Sequence, residues 1–161
     1  TGYRRGAVPH SLGADTMMKI ETTEPSAYPA LLEIWEASVR ATHDFLAEDD
    51  LLELKPLILG QYFDAVDLRV AKSRTGELLG FCGVSEGNIE MLFIAPQARG
   101  TGVGAFLAAH AINSQGATKV DVNEQNQQAL GFYQHLGLSV VGRSPLDGQG
   151  KPYPLLHMAL G

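Results

Sequence analysis

The residues best suited to chemistry in this chain lie in a glycine-rich stretch, QARGTGVG, at residues 97–104. Glycines alternate at Gly100, Gly102 and Gly104, and Arg99 stands beside them. Glycine lets a backbone approach an anion closely, a following helix points its free N–H groups at that anion, and arginine adds a charge-assisted donor. The pattern is typical of a phosphate-binding loop, although a tight turn alone would also favour these glycines.

Two familiar phosphate loops fit this stretch poorly. A P-loop needs a Lys-Ser/Thr pair after its last glycine, whereas Ala105 and Phe106 follow here. A Rossmann loop needs G-x-G-x-x-G, and this chain has G-x-G-x-G. Asp121 follows the glycine loop at about the sequence distance at which a Rossmann domain has its ribose-binding acidic residue. A nucleotide-dependent oxidoreductase therefore stays open as a weaker alternative. A Rossmann domain would, however, begin with this unit.

The composition predicts a soluble protein with one compact domain. The chain has 161 residues, 45% of them hydrophobic, and a formal net charge of −6 without a basic stripe, which disfavours nucleic acid as a partner. No apolar run approaches the roughly 18 residues of a membrane span, so we expect no membrane partner. The single cysteine, Cys82, excludes a disulfide framework, behaves as a small buried hydrophobe and fits a cytoplasmic location.

The hydrophobic period predicts the elements that must position the loop. Residues 1–16 lack periodicity, and we interpret them as a vector-derived segment or a disordered tail, leaving 17–161 as the domain. A short strand and two helices come first, with Ser26 and Asp49 or Asp50 as helix caps, and we expect Pro56 to kink or divide the second helix. Three strands, the loop and its helix, and a strand–helix–strand–strand unit follow. This order predicts an α/β protein with a mixed sheet and helices on its faces.

Two motifs together resemble one known family. The run Gln97-Ala98-Arg99-Gly100-Thr101-Gly102 matches the pattern Q/R-x-x-G-x-G/A, and Asn126, Ala129, Tyr133 and Gly137-Leu138 follow in the expected order. Over residues 18–160 the chain resembles the GCN5-related N-acetyltransferase (GNAT) superfamily. The segments ATHDFL, VNEQN and GKPYPLL are similar to those of its YjaB-type bacterial acetyltransferases. The resemblance implies a mostly antiparallel sheet of about seven strands, splayed between strands 4 and 5 and flanked by about four helices.

The resemblance also implies a co-substrate and the residues that hold it. Acetyl-CoA would lie with its pyrophosphate on the loop and its pantetheine arm in the splay. The implied contacts are Phe93, Ile94, Arg99, Gly100, Thr101, Gly102, Val103, Gly104, Asn123, Asn126 and Tyr133. We expect no metal, because no His, Cys, Asp or Glu grouping has the spacing of metal ligands.

The implied reaction is direct attack of an amine on the thioester, which needs a proton acceptor and a proton donor. Tyr133 stands at the family's acid position. Three residues are candidates for the general base, and the sequence does not decide between them. Glu90 lies on the strand before the loop, Asp121 stands where the YjaB-type pattern has Asn, and His43 lies between the first two helices. Alternation along the strand predicts that Glu90 shares a face with Ile94.

The function predicted from these residues is acetyl transfer to an amine, small-molecule or peptide, by a monomer or homodimer. The alternative is a non-catalytic acyl-CoA-binding module. The acceptor itself stays undetermined, because one scaffold serves many acceptors. Tyr153, in GKPYPLL, is expected to face the acceptor region.

Overall fold

A computed structural model of the chain describes residues 18–42 and 46–161. The strands are β1 (Met18–Glu21), β2 (Asp67–Ser73), β3 (Leu78–Ser85), β4 (Asn88–Ile94), β5 (Lys119–Asn123), β6 (Leu138–Ser144) and β7 (Leu155–Leu160). The α-helices are α1 (Tyr28–Thr42), α2 (Glu48–Leu57), α3 (Val103–Ser114) and α4 (Gln127–His135). The expected α/β architecture, with a mixed sheet and helices on its faces, is confirmed.

All seven strands join one sheet in the order β1-β2-β3-β4-β5-β7-β6. Only β4 and β5 run parallel, and they pair in register only at Asn88–Lys119 and Ile89–Val120. Beyond those pairs the two strands diverge, which confirms the predicted splay. Because the other five pairings are antiparallel, the Rossmann alternative is wrong: its sheet would be mostly parallel.

The two faces of the sheet are covered unequally. On one face, α3 and α4 pack against β3, β4, β5 and β7 around Leu107, Val120 and Met158. On the other face, α1 and α2 pack only against β2, β3 and β4, around Trp35 and Phe81. Among residues 18–42 and 46–161, no helix covers the β5–β7–β6 half of this second face.

The helix starts differ from the predicted caps. Ser26 lies inside a 3₁₀ turn, Pro25–Ala27, that leads directly into α1. Helix α2 begins at Glu48 after Ala47, without a side-chain cap, and Asp49 and Asp50 lie in its first turn. Carboxylates in a first turn still complement the helix dipole, so Asp49 and Asp50 favour the helix from inside its first turn and not as caps.

The second helix is not divided at Pro56, which was one of the two expected outcomes. The proline lies inside α2, one residue before its end, and the chain then continues directly into a π-helical turn, Ile58–Tyr62. The regular α-helical geometry therefore changes soon after the proline. None of the helices within the described ranges is long and apolar enough to span a membrane.

Candidate functional site

The glycine loop joins β4 to α3 through backbone that other residues rarely adopt. Gly100 has φ 79° and Gly102 has φ 90°, and Gly102 is the residue that starts α3. Within the described residues, no side chain caps this helix. Its first N–H groups, which lack partners inside the helix, are therefore available to a bound anion. The local geometry fits a pyrophosphate.

A cavity of about 350 Å³ opens directly above this loop. We call it the loop cavity. Arg99 stands at its edge, where Nη2 donates to Oε1 of Gln128 at 2.8 Å, so α4 helps to hold the guanidinium. The lining residues include Ser38, Thr42, Leu92, Phe93, Ile94, Ala98, Arg99, Gly100, Gly102, Val103, Gly104, Ala105, Asn126, Gln128, Ala129, Phe132 and Tyr133.

A narrower cleft of about 120 Å³ lies where β4 and β5 diverge. It shares Phe93, Asn126 and Tyr133 with the loop cavity, so the two spaces adjoin. The backbone of β4 at Phe93 and Ile94 pairs with β3 on one side and faces the diverging strand on the other. A free strand edge can pair with an amide-bearing ligand, so this edge fits a pantetheine arm.

Tyr133 is the buried hydroxyl of the site. The side chain is 6% exposed and lines both the loop cavity and the cleft. Burial raises its pKa, because the charged phenolate would be desolvated. The hydroxyl therefore keeps its proton at neutral pH and can donate it to a group that becomes negatively charged.

Two asparagines fix the backbone between β5 and α4. Asn126 accepts a hydrogen bond through Oδ1 from the Ala129 amide at 3.0 Å and so caps α4. Asn123 accepts one through Oδ1 from the Gln125 amide at 3.0 Å. Both line the cleft, and the cap at Asn126 sets the direction in which α4 presents Tyr133.

A third space of about 400 Å³, the open-face cavity, lies on the uncovered half of the sheet. It shares Glu90 and Asp121 with the cleft, so the loop cavity, the cleft and the open-face cavity are neighbouring spaces. The cavity is lined by Ser85, Glu86, Asn88, Glu90, Lys119, Asp121, Val141, His157, Met158 and Ala159. Carboxylates outnumber cations among these residues.

Glu90 does not share a face with Ile94 as the sequence predicted. The β3–β4 register shifts here, pairing Gly83 with Met91 and Val84 with Ile89, so Glu90 forms a bulge. Ile89 and Ile94 consequently pack in the same core cluster although an odd number of positions separates them. The Glu90 carboxylate turns to the open-face cavity, where Oε2 accepts from Nδ2 of Asn88 at 2.7 Å.

Three side chains from β5, β7 and β6 form a hydrogen-bonded chain, and two of them, Asp121 and His157, line the same cavity. Asp121 and His157 are paired in register, and Oδ1 of Asp121 lies 2.6 Å from Nδ1 of His157. The other ring nitrogen, Nε2, lies 2.7 Å from Oγ of Ser144. On β6, Gly142 is the residue paired with His157. A Cβ at Gly142 would lie 3.4 Å from the imidazole ring, so the absence of a side chain gives the ring space.

The β6–β7 loop is tied to the helical side of the site. The Tyr153 hydroxyl donates to Oδ2 of Asp50 and accepts from the Ala47 amide at 3.1 Å. Nζ of Lys151 lies 3.1 Å from Oδ1 of Asp50. The hydrogen bond from Tyr153, followed by that from Lys151, lowers the pKa of Asp50. These contacts join the GKPYPLL segment to the start of α2.

The structure brings together most of the residues that the sequence nominated. The adjoining spaces are lined by Phe93, Ile94, Arg99, Gly100, Gly102, Val103, Gly104, Asn123, Asn126, Tyr133, Glu90 and Asp121. Thr101 does not line them, and its hydroxyl donates to the Ala98 carbonyl. His43 lies outside the described residues. Cys82 is buried, and burial raises its pKa to about 12, which makes it a poor nucleophile. Within the described ranges, no group of three or more His, Cys, Asp or Glu side chains could hold a metal ion.

Two polar residues of the open face carried no expectation from the sequence. His157 stands in the apolar run PLLHMAL, and Ser144 ends the strand LSVVGRS. A lone histidine in a strand was the only signal present. Its meaning depends on the register of β7 between β5 and β6, which sequence patterning does not give.

Comparison with known proteins gives the family context of this geometry. The family model for an acetyltransferase (GNAT) domain matches residues 64–138. The peptidyl-lysine N-acetyltransferase YjaB of Escherichia coli K12 is 43% identical over 129 residues, which cover 80% of this chain and 87% of that protein.

Solved structures agree with the fold. The solution structure of apo-form YjaB from Escherichia coli superposes with a TM-score of 0.79 at 40% identity, covering 89% of this chain and 97% of that one. The PaiA N-acetyltransferase from Thermoplasma acidophilum, solved in complex with coenzyme A, gives a TM-score of 0.68 at 16% identity, covering 90% and 99%. At that identity the second structure supports the fold alone.

Proposed function

Because the chain belongs to the GNAT family of acetyl-CoA-dependent N-acetyltransferases, we propose that its acceptor is the side-chain amine of a lysine in a peptide or protein. Acetyl-CoA is the co-substrate. The observation that carries the proposal is the series of adjoining spaces, which leads from the glycine loop to an uncovered sheet face lined by Glu86, Glu90 and Asp121.

The first part of the proposal concerns how the co-substrate is held. The first amides of α3 and the Arg99 guanidinium bind the pyrophosphate, and the β4 edge at Phe93 and Ile94 pairs with the pantetheine arm. Support comes from the left-handed Gly102 at the helix start and from the early end of the β4–β5 ladder. The thioester then lies in the cleft beside Tyr133, whose hydroxyl protonates the departing thiolate.

The second part concerns the acceptor. A lysine side chain is long, unbranched and cationic, so it can cross a narrow cleft while its peptide stays outside on the open face. The carboxylates of Glu90 and Asp121 stand where the open-face cavity meets the cleft, and they attract the ammonium group before it reacts. The YjaB relative carries the name of a peptidyl-lysine acetyltransferase, which agrees with this choice. We also propose a cytoplasmic location, since the single cysteine excludes a disulfide framework.

The test is acetylation of a lysine-containing peptide with a blocked N-terminus. Release of the CoA thiol and gain of one acetyl group by the peptide are measured together, with the same peptide carrying norleucine in place of lysine as the control. We expect transfer to the lysine peptide and none to the control. Transfer to free polyamines or amino acids, with no transfer to the lysine peptide, would contradict the proposed acceptor.

A further inference from the structure

Helix α1 places at the loop cavity one buried hydroxyl that has no role in the function proposed so far. Ser38 is 7% exposed and, apart from Tyr133, is the only buried residue with a hydroxyl in the described part of the chain. We propose that this hydroxyl donates a hydrogen bond to a carbonyl oxygen on the acyl-pantetheine arm of the co-substrate. The inference rests on the proposed placement of acetyl-CoA and adds to it a binding residue from α1.

The helical period turns Ser38 towards the sheet. It lies on the buried face of α1 together with Leu31 and Trp35, at the spacing of successive helical turns. Leu31 and Trp35 pack in the core, whereas Ser38 and Thr42, one turn apart, line the loop cavity. The buried face of α1 thus becomes polar where it leaves the packed core and meets the cavity.

The Ser38 hydroxyl makes no hydrogen bond to any residue within 18–42 and 46–161. A serine inside a helix can donate to the carbonyl four residues earlier, here that of Ile34, but this bond is not formed. The backbone of Ser38 is satisfied, since its carbonyl accepts from Oγ1 of Thr42 at 2.8 Å. A buried hydroxyl without a partner costs free energy, so a group that enters the cavity is the expected partner.

The neighbours of Ser38 indicate which part of the co-substrate it meets. Helix α1 packs against β4 and against the 3₁₀ turn Pro96–Ala98 before the glycines. Phe93, at the β4 edge proposed to pair with the pantetheine arm, belongs to the same core cluster as α1. Tyr133 bounds the cavity from the other face of the sheet. The arm between them is uncharged and offers amide and thioester carbonyls, which accept from a hydroxyl.

Ser38→Ala separates a ligand-binding hydroxyl from a structural one. Alanine favours a helix more than serine does and buries no unpaired donor, so the melting temperature without ligand should be unchanged or higher. Affinity for acetyl-CoA, measured by calorimetric titration, should fall about three- to tenfold, the factor that one neutral hydrogen bond contributes. The matched control is Ser114→Ala, at the exposed end of α3 outside the three spaces, which should keep the wild-type affinity.

Titrations with CoA and with acetyl-CoA identify the carbonyl. Equal weakening of both by Ser38→Ala supports the proposal with an amide carbonyl of the pantetheine arm as the partner. Weakening for acetyl-CoA alone supports it with the thioester carbonyl, and kcat should then fall too, because that oxygen gains negative charge in the transition state. A raised KM for the lysine peptide with unchanged affinity for both ligands would overturn the proposal, since the hydroxyl would then bind the acceptor.

The outcomes also distinguish this inference from its premise. Binding is measured without an acceptor, so failure of the lysine peptide would refute the proposed acceptor and leave the Ser38 contact standing. If Gly102→Ala binds acetyl-CoA as tightly as the wild type, the proposed placement of the co-substrate is wrong. If Gly102→Ala weakens binding and Ser38→Ala does not, only the Ser38 contact is wrong. A lower melting temperature of Ser38→Ala without ligand, with unchanged affinity, would likewise overturn the contact in favour of a structural role.

Discussion

At the scale of single residues, burial rather than contact sets the chemistry of Tyr133. The side chain is almost fully enclosed by the α3–α4 side of the core, and desolvation raises its pKa. A raised pKa keeps the phenol protonated across the neutral range, so the group is suited to donate a proton and not to accept one, as the proposed function requires. The ring also packs edge-on against Phe132, with centroids 5.0 Å apart, which holds its orientation.

Tyr133→Phe should therefore affect the chemical step alone. The ring remains in its packing position, while the proton donor is lost, so we expect kcat to fall by a factor of about 10² or more. Binding should persist, because the loop amides and the β4 edge are untouched. The checks are kcat by thiol release and the melting-temperature shift with acetyl-CoA. An unchanged kcat would remove Tyr133 from the mechanism.

At the scale of elements, the strand-to-helix loop and the helix it begins act as one unit. Gly102 has its left-handed backbone where α3 starts, and this conformation aims the first amides of the helix at the loop cavity. A side chain at this position would not clash, since nothing lies within 4 Å of a Cβ built there. Glycine is favoured because the left-handed backbone conformation costs any other L-residue about 1–2 kcal/mol of stability.

Gly102→Ala should accordingly lower the free energy of unfolding by about 1–2 kcal/mol and weaken acetyl-CoA binding. The matched control is Gly131→Ala in α4, where nothing lies within 4 Å and φ is not positive. Alanine in a helix interior should raise stability there by roughly 0.5–1 kcal/mol and leave activity as it is. Denaturant melts measure the free energy of unfolding of the two variants, and acetyl-CoA titrations measure their affinity. Equal affinity of both variants for acetyl-CoA would contradict the proposed binding of its pyrophosphate by the glycine loop.

A second element-scale contact is the link between the β6–β7 loop and α2. Tyr153 and Lys151 lower the pKa of Asp50, so the carboxylate is more acidic when the protein is folded than when it is unfolded. A lowered folded pKa gives stability that is present above the unfolded pKa and is lost as pH falls through the folded one. The link should therefore hold at neutral pH and fail in acid.

The comparison of Asp50→Asn with wild type measures this link. At about pH 7 the variant should melt at a lower temperature, and the difference should disappear well below the ordinary aspartate pKa of about 3.9. Asp49→Asn is the matched control, because it removes the same charge from the same helical turn. If both variants shift equally at every pH, the effect comes from the helix dipole and not from the link.

At the scale of the whole molecule, the two faces of one sheet differ in cover. Helices α3 and α4 cover the face that carries the glycine loop, whereas in the described part of the chain no helix covers the β5–β7–β6 half of the opposite face. The cleft between β4 and β5 lies between the two sides. In the proposed function, donor and acceptor approach from opposite faces and meet within the sheet.

Co-substrate binding should stabilise the whole fold. A ligand that binds only the folded state at about 100 times its Kd adds about 2.7 kcal/mol, which corresponds to a rise of about 5–10 °C for a chain of this size. Thermal melts with acetyl-CoA measure this rise, and NAD at the same concentration should produce none. A shift with NAD and none with acetyl-CoA would contradict the assignment of the loop. Gly102→Ala should show a smaller shift than wild type.

The local features of the site followed from the sequence because each depends on short-range physics. The Gly100 and Gly102 spacing, the Asn126 cap and Gly137 after α4 are backbone requirements readable within a few residues. Alternation and helical period then gave the strands and helices in their correct order. The resemblance of two such local motifs was sufficient to predict the family and the co-substrate, while Tyr133 as the proton donor stays a prediction.

Only the tertiary structure decided what the open face contains. The bulge at Glu90 reverses alternation, and it depends on how β3 pairs with β4. Asp121, His157 and Ser144 are up to 36 residues apart and meet because β7 lies between β5 and β6 in one particular register. Register is set by the packing of whole strands, and a shift of one residue would turn these side chains to the other face. The glycine loop and the caps beside it were therefore readable from local sequence, whereas the polar side chains of the open face are brought together only by strand pairing.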